Sequence, residues 1–385
     1  YHKKNQVSSL MSYWLYVLIF IIRNSNIMII NLIFVISKIH IYSKVIKRDI
    51  SLHSKYIKRC IDIAKNGLGT TAPNPMVGCV IVEDNKIIGE GYTSPYGGAH
   101  AEVNAIAAVK DKTRLKKATL YVTLEPCNHQ GKTPPCCDLI IAHEIPKVVI
   151  GCVDAHEKVC GQGIARLRAN GCEVILGVEE ALCKQHHKRF LTYHTKRRPY
   201  IILKWAQTKN GFVAPKHTSS KRPFWISGKT ARQLVHQWRA EEQAILVGAN
   251  TVIEDNPNLT TRNVIGKNPI RIVVSNNKLL SKKYAVFNTD AKTIVLNTGD
   301  LKDDQPLAKQ ICDKLFELQI NSVIIEGGTK TLQLFIDENL WDEARVFEAN
   351  AEIEIGIKAP KFSLYSSEVL KVGKDRLLSI TNNVI

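Results

Sequence analysis

Four residues in the first half of the chain have the types and spacing to do chemistry: His100 and Glu102, then Cys127 after Pro126, then Cys136 after an eight-residue gap. One imidazole and two thiolates give a tetrahedral zinc ion three protein ligands and leave its fourth position to water, which marks a catalytic rather than a structural site. Zinc held this way lowers the pKa of its water from ~15.7 to ~7 and so supplies a nucleophile at neutral pH. Glu102 stands beside the ligands without being one. A carboxylate there can take a proton from water and pass it to a ring nitrogen and a departing amine, the acid–base work of zinc deaminases, worth about 10² to 10⁴-fold. Singly these pieces are weak, because a lone Cys is usually a small buried hydrophobe. Their order argues for catalysis. Cys137 competes with Cys136, but only one of two successive helical residues can face the ion, and Cys136 directly follows Pro134-Pro135 at a turn. The other cysteines are read as packing.

The elements that must position these groups are legible around them. Apolar residues at helical spacing predict a helix over 56–64, stopped by Asn66-Gly67. Residues 77–82 and 86–92, joined by Asp84-Asn85, predict a β-hairpin. A helix over 100–110, a strand over 118–124, a helix over 136–143 and a strand over 147–153 follow, then a helix over 163–170 and a strand over 173–176. His100 and Cys136 therefore open helices and Cys127 lies just past a strand. The positive end of a helix dipole lowers thiol pKa values, so both cysteines are expected as thiolates.

At 385 residues the chain has room for two or three domains of ~100 to 200 residues. With 45% hydrophobic and 23% charged residues it is globular in composition, which excludes low-complexity disorder and a polytopic membrane protein. The formal charge of +18 suits phosphorylated partners. Residues 1–58, however, hold nine Lys and Arg against one Asp, so nearly half the excess lies outside the regular pattern. Residues 1–50 are an apolar and basic extension whose apolar runs are interrupted at 23–26 and fall short of the ~20 residues a bilayer span needs. With Tyr1 in place of Met, the extension is read as upstream sequence translated with the coding region, a membrane-surface anchor being the alternative. Ten unevenly spaced cysteines suit a reducing, cytoplasmic setting.

The polar, basic run Thr195-Lys196-Arg197-Arg198-Pro199 marks a boundary between domains 51–196 and 197–385. Beyond it, short apolar runs at 200–205, 244–247, 270–274, 293–296 and 322–325 alternate with helical patterns such as 230–239 and 307–318, predicting a second α/β domain. No Gly-x-Gly-x-x-Gly follows a strand, so a Rossmann dinucleotide fold has no local support. Two places read as strand, glycine, helix: 244–251 and 323–329. Glycine there lets a phosphate approach the backbone, or simply makes a tight turn.

The run Thr123-Leu124-Glu125-Pro126-Cys127-Asn128-His129-Gln130-Gly131-Lys132-Thr133-Pro134-Pro135-Cys136-Cys137-Asp138, with Pro73-Asn74-Pro75-Met76-Val77-Gly78 upstream, resembles the bifunctional riboflavin-biosynthesis deaminase/reductase family. The resemblance extends from about Ser54 to the C-terminus through Leu203-Lys204-Trp205-Ala206-Gln207-Thr208, Trp225-Ile226-Ser227, Asp255-Asn256-Pro257-Asn258-Leu259-Thr260-Thr261-Arg262 and Glu326-Gly327-Gly328. It implies a cytidine-deaminase-like three-layer α/β/α domain followed by an α/β domain like dihydrofolate reductase. The implied activities are zinc-dependent deamination of a 2,5-diamino-6-ribosylaminopyrimidinone 5′-phosphate and NADPH-dependent reduction of the ribosyl group to ribityl. By the same resemblance Asn74 contacts the pyrimidine, and His129, Lys132 and Thr133 hold the ribose phosphate. Ala206, Trp225, Thr251, Asp255 and Gly328 would line NADPH, while Arg239, Leu259, Arg262 and Glu326 would contact the second substrate. A lysine, a hydroxyl and loop amides suit a phosphate dianion, as does an arginine fork. The chain departs from the pattern at Asn210, where Asp is usual, and at Pro223, where Ser is common; Asn is expected to tolerate the left-handed turn before Gly211. The rival reading is a tRNA-type nucleic-acid deaminase, whose Pro-Cys-x-x-Cys spacing this chain lacks. The expected partner is a small phosphorylated pyrimidine, with no nucleic acid or membrane; a homo-oligomer is compatible with the sequence.

Overall fold

The computed structural model describes residues 51–130, 134–155, 160–216, 225–276, 280–302, 304–362 and 368–382. The extension 1–50 and the expected site residues Lys132, Thr133 and Pro223 lie outside the described residues. The fold below is that of the compact unit 57–385.

Five strands form the first sheet: β1 (Gly78–Glu83), β2 (Lys86–Tyr92), β3 (Thr119–Leu124), β4 (Lys147–Cys152) and β5 (Glu173–Leu176), in the order β2-β1-β3-β4-β5. The hairpin and the β1–β3 pair are antiparallel, and β3, β4 and β5 run parallel. Because strand side chains alternate in direction, the pairing of Cys79 with Gly91 puts those two on one face and Gly78 on the other. Both glycines are there for close approach. A Cβ on Gly78 would lie 1.9 Å from the carbonyl of Cys60, on helix α1 (57–64 within this unit), and one on Gly91 would lie 2.3 Å from the amide of Ala105, on α2 (Ala101–Ala108). Helices thus cover both faces, giving three layers. Helices α3 (Cys136–Ala142) and α4 (Gln162–Ala169) pack on each other, and α5 (Glu180–His186) packs on β4.

Helix α6 (Lys188–Lys196) leads into the second sheet, with Arg197 left-handed at its C-cap and Pro199 just before the next strand. That sheet comprises β6 (Tyr200–Thr208), β8 (Ala244–Gly248), β9 (Ile270–Ser275), β10 (Thr293–Asn297), β11 (Ser322–Ile325), β12 (Glu343–Ala349), β14 (Glu368–Val372) and β15 (Asp375–Thr381). Their order is β10-β9-β8-β11-β6-β12-β15-β14, parallel as far as β12 and antiparallel beyond it. Strands β7 (Phe212–Pro215) and β13 (Gly356–Lys358) pair separately. Alternation again sorts the core. Ile201, Leu203, Leu246 and Ile325 meet α9 (Leu307–Glu317) and α10 (Thr329–Asp337), while Tyr200, Ile202 and Ile324 meet α7 (Lys229–Glu241). Val252 of α8 (Ala249–Asp255) packs with Ile245 and Val247 on that second face.

One expectation is corrected here. Gly211, at φ 81°, takes the left-handed position in the turn after β6, and Asn210 does not. Asn210 works through its side chain instead, accepting from Thr208 Oγ1 at 2.7 Å and donating to the carbonyl of Ile353 at 2.8 Å.

Where the two sheets join, Arg198 donates to both carboxylate oxygens of Asp342, at 2.5 and 2.8 Å, with both residues buried. Asp342 also accepts from the amide of Ile201 at 2.9 Å, which ties the entry of β6 to the turn before β12. Asp342→Ala leaves the guanidinium buried without its partner and is expected to cost about 3–5 kcal/mol. Urea unfolding followed by circular dichroism should show a clearly lowered midpoint; an unchanged midpoint contradicts this role for the pair.

Candidate active sites

His100 is the N-cap of α2, Cys136 is the first residue of α3, and Cys127 lies three residues past the end of β3. Two helix starts and a strand end bring one ligand atom from each within 4.8 Å of the others. His100 Nδ1 lies 3.3 Å from Cys136 Sγ and 3.5 Å from Cys127 Sγ. A nitrogen and two sulfurs in this arrangement match the donor set of a catalytic zinc ion. Cys137 points elsewhere, its thiol donating to the carbonyl of Pro126 at 3.3 Å, so Cys136 is the cysteine that faces the cluster.

The electrostatics follow from burial and proximity. The amide of Cys136, at the helix start, donates to Cys127 Sγ at 3.3 Å. Hydrogen bonds from Cys136 and His100 outweigh burial and pull the Cys127 thiol down, while its neighbour Cys136 is pushed well up by its hydrogen bond to Cys127 and by burial, so the thiolate character expected of both sulfurs falls on Cys127. His100 is raised by its hydrogen bond to Cys127. Glu102 is buried in the first turn of α2, and burial, reinforced by the negative charge of Cys127, pushes its carboxyl up to about 7. A carboxyl poised near neutrality can both accept and return a proton.

Sequence reasoning assigned nothing to Glu125, although it stands two residues before Cys127. Its buried carboxylate accepts from the amides of Asp154, Gly161 and Ile164 at 3.3, 3.0 and 3.1 Å, lashing the start of α4 to the strand end that carries the metal ligand. Only its burial beside three amides reveals this role. Asn74 lies half-buried in the loop before β1, its backbone N–H donating to the carbonyl of Thr71 at 3.0 Å, and His129 is exposed.

In the second sheet a cluster of charged side chains gathers beside the C-terminal end of β11, on the side of the sheet where open α/β folds bind ligands. The register that pairs Leu203 with Ile325 sets Lys204 beside Glu326. Arg239 grips Glu326 in bidentate fashion, Nε to Oε1 at 2.9 Å and Nη2 to Oε2 at 2.8 Å, while Lys204 Nζ lies 3.5 Å from Oε2. Burial would raise Glu326, but Arg239 and Lys204 outweigh it and hold the carboxyl at about 2. Lys204, which sequence reasoning placed on a strand and within a family-like run but gave no role, joins this cluster. Arg239 Nη1 also reaches the carbonyl of Thr260 at 3.2 Å, next to Leu259, which is buried in the left-handed region at φ 53°. Arg262 is exposed nearby, its guanidinium lowered by burial and by Arg239.

The two strand–glycine–helix turns sit side by side because β8 and β11 are parallel neighbours. A Cβ on Gly327 would lie 2.7 Å from Val247 Cγ1, and one on Gly328, at φ 63°, would lie 3.3 Å from Thr251 Oγ1. Ala206 is half-buried on β6 and Asp255 is exposed at the end of α8. Trp225 is exposed, with the Arg232 guanidinium 4.7 Å from its ring centre. The structure therefore brings Arg239, Glu326, Thr251 and Gly328 to the ends of neighbouring strands.

Fold and donor set together define a deaminase-type metal domain joined to a second α/β domain with a buried charged cluster. Residues 50–152 match the cytidine and deoxycytidylate deaminase zinc-binding region, and residues 199–351 match the RibD C-terminal domain. The chain belongs to the RibD family of riboflavin biosynthesis proteins. It is 39% identical over 351 residues to riboflavin biosynthesis protein RibD of Aquifex aeolicus, covering 87% of this chain and 97% of that one. The Escherichia coli relative of the same name is 34% identical, covering 76% of this chain and 86% of its own length. A crystal structure from Thermotoga maritima, described as a diaminohydroxyphosphoribosylaminopyrimidine deaminase/5-amino-6-(5-phosphoribosylamino)uracil reductase, superposes with a TM-score of 0.77. It is 37% identical and covers 86% of this chain and 99% of its own.

Two predictions follow from this geometry. Cys136→Ser should abolish stoichiometric zinc binding, measured by elemental analysis of dialysed protein, while Cys137→Ser should keep it; the reverse pattern overturns the choice of ligand. For Glu326, the folded value of about 2 lies below the ordinary 4.5. Its ion pairs therefore contribute fully above pH ~4.5, and that contribution is lost as pH falls from there toward 2. Thermal unfolding between pH 5 and 3 should show an acid-labile component that Glu326→Gln lacks; equal slopes for the two proteins contradict the assignment.

Proposed function

We propose that the chain catalyses two successive steps of riboflavin biosynthesis. The first is hydrolytic deamination of 2,5-diamino-6-ribosylamino-4(3H)-pyrimidinone 5′-phosphate. The second is NADPH-dependent reduction of the ribosyl group of 5-amino-6-(5-phosphoribosylamino)uracil to ribityl. The observation that carries the reading is the convergence of His100, Cys127 and Cys136 beside buried Glu102, in a chain whose second sheet carries a cluster of opposed charges.

In the first domain, which we assign to residues 51–196, His100, Cys127 and Cys136 would hold zinc. Bound there, zinc supplies a nucleophile at neutral pH by lowering the pKa of water. Glu102 takes a proton at its carboxylate and returns it to the pyrimidine and the leaving amine, which its poise near 7 allows. Asn74 orients the pyrimidine; His129, Lys132 and Thr133 hold the ribose phosphate.

The second domain, 197–385, would take NADPH along Ala206, Trp225, Thr251, Asp255 and Gly328, the cofactor supplying hydride. Two adjoining helix starts with a left-handed glycine between them suit its phosphates. Arg239, Leu259, Arg262 and Glu326 line the substrate. Since Arg239 is engaged by Glu326, exposed Arg262 is the freer fork for the substrate phosphate. Lys204 adds a buried ammonium to that lining. The strained backbone of Leu259 fits a residue held in place for contact. Ten cysteines without a disulfide, nearly all buried, suit the cytoplasm, and among the described residues no helix is long and apolar enough to cross a membrane. The expected partner is the small pyrimidine phosphate rather than nucleic acid, and a homo-oligomer is compatible with this arrangement.

Glu102→Gln should lower ammonia release from the diaminopyrimidine at least about 10²-fold, yet leave NADPH oxidation on the deaminated substrate unchanged. Loss of both activities in a folded variant contradicts a separation of the two chemistries. Wild-type protein that releases ammonia from tRNA but not from the pyrimidine phosphate overturns the substrate assignment.

A further inference from the structure

The loop that carries Asn74 is built on the reductase domain as much as on its own. Asn321, immediately before β11, donates through Nδ2 to the carbonyl of Pro73 at 3.2 Å. Its own position is fixed from three sides. Its amide donates to Gln243 Oε1 at 2.8 Å, its carbonyl accepts from the amide of Tyr200 at 2.9 Å, and the residue is buried. At the other end of the loop, a Cβ on Gly69 would lie 2.1 Å from the carbonyl of Ala240, the penultimate residue of α7. His186 Nε2 lies 2.7 Å from the carbonyl of Met76. Arg189, two residues into α6, pairs with buried Glu242 just past α7.

These contacts surround a cavity of about 40 Å³ lined by Asn74, His187 and Asn321 among others. Two buried polar atoms, His187 Nδ1 and Asn321 Oδ1, have no protein partner. The cavity has room for two or three water molecules. His187 Nε2 in turn lies 3.0 Å from Thr123 Oγ1, which accepts from the amide of Gly78 at 3.2 Å. The seam therefore reaches the strand that leads to Cys127 as well as the Asn74 loop.

We propose that Asn321, a residue of the reductase sheet, is a positioning residue for the deaminase: by holding the Pro73 carbonyl it sets the adjoining Asn74 side chain for the pyrimidine. The proposal rests on the reading that Asn74 contacts that substrate. It makes the reductase domain a structural part of the deaminase site while leaving each chemistry its own groups. Asn321 is neither a proposed zinc ligand nor a proposed cofactor or reductase-substrate contact, so its loss is expected to act on deaminase substrate binding.

The test uses the full zinc-loaded chain with Asn321→Asp, which replaces the amide donor by a carboxylate oxygen facing the Pro73 carbonyl. The deaminase KM should rise about tenfold, as loss of one buried hydrogen bond allows. Deaminase kcat, zinc stoichiometry and reductase kinetics on the deaminated substrate should stay within about twofold. Hydrogen–deuterium exchange of the peptide covering 68–77 should quicken in the same variant. Unchanged KM with unchanged exchange overturns the proposal. Faster exchange with unchanged KM confirms the clamp but overturns both the assignment of Asn74 to the substrate and the positioning role that rests on it. If Asn321→Asp also loses reductase activity, Asn321→Ala, which removes the donor and adds no charge, is read by the same criteria.

Discussion

Two sulfurs, each within hydrogen-bond reach of one imidazole nitrogen, form a concentration of polar and negative groups that a protein interior disfavours unless something compensates them. Here the compensation is partly built in, since the amide at the start of α3 donates to Cys127 and His100 bonds the same sulfur. A divalent cation completes it. The rest of the first domain serves this constraint: the parallel step from β3 to β4 leaves a strand end free at Cys127, two helices begin at the other ligands, and Glu125 ties the intervening loop down through three amides. The same low-dielectric pocket that would strengthen metal binding lifts Glu102 toward neutrality, so the proposed ligands and the proposed proton carrier share one cause.

The second domain handles charge the opposite way. A single carboxylate, Glu326, sits between Arg239 and Lys204, and all three are largely buried. Two cations on one anion leave a positive surplus at the mouth of the strand ends, where exposed Arg262 adds to it. A phosphorylated ligand suits such a surplus. The glycine turns beside it work by removing side chains, since a Cβ at Gly327 would collide with Val247 and one at Gly328 would crowd Thr251.

The cluster of His100, Cys127 and Cys136 was legible because these residues fall where elements begin and end, and sequence marks such places with Pro, Gly and a change of period. The choice between Cys136 and Cys137 also followed, since only one of two neighbouring helical residues can face an ion. The antiparallel edge of the second sheet was not legible. Strand β12 carries Glu343, Arg345 and Glu348, which read as surface charges, yet Glu343 is paired with Lys188 and Arg345 and the strand is mostly buried. Strand β14 is exposed along nearly its whole length, so it has no alternation to detect. Lys204 and Glu125 were missed for a related reason: each sits in a segment whose neighbours explain themselves, and only tertiary packing shows where the charge goes.

The central claim is that three protein atoms hold zinc and one coordination position stays open. X-ray absorption at the zinc edge of the metal-loaded chain tests it most directly. The account predicts two sulfur neighbours at about 2.3 Å together with two nitrogen or oxygen neighbours at about 2.0–2.1 Å, one of them a histidine. Three or four sulfur neighbours would mean that Cys137 or another thiol closes the site, and a closed site contradicts the account.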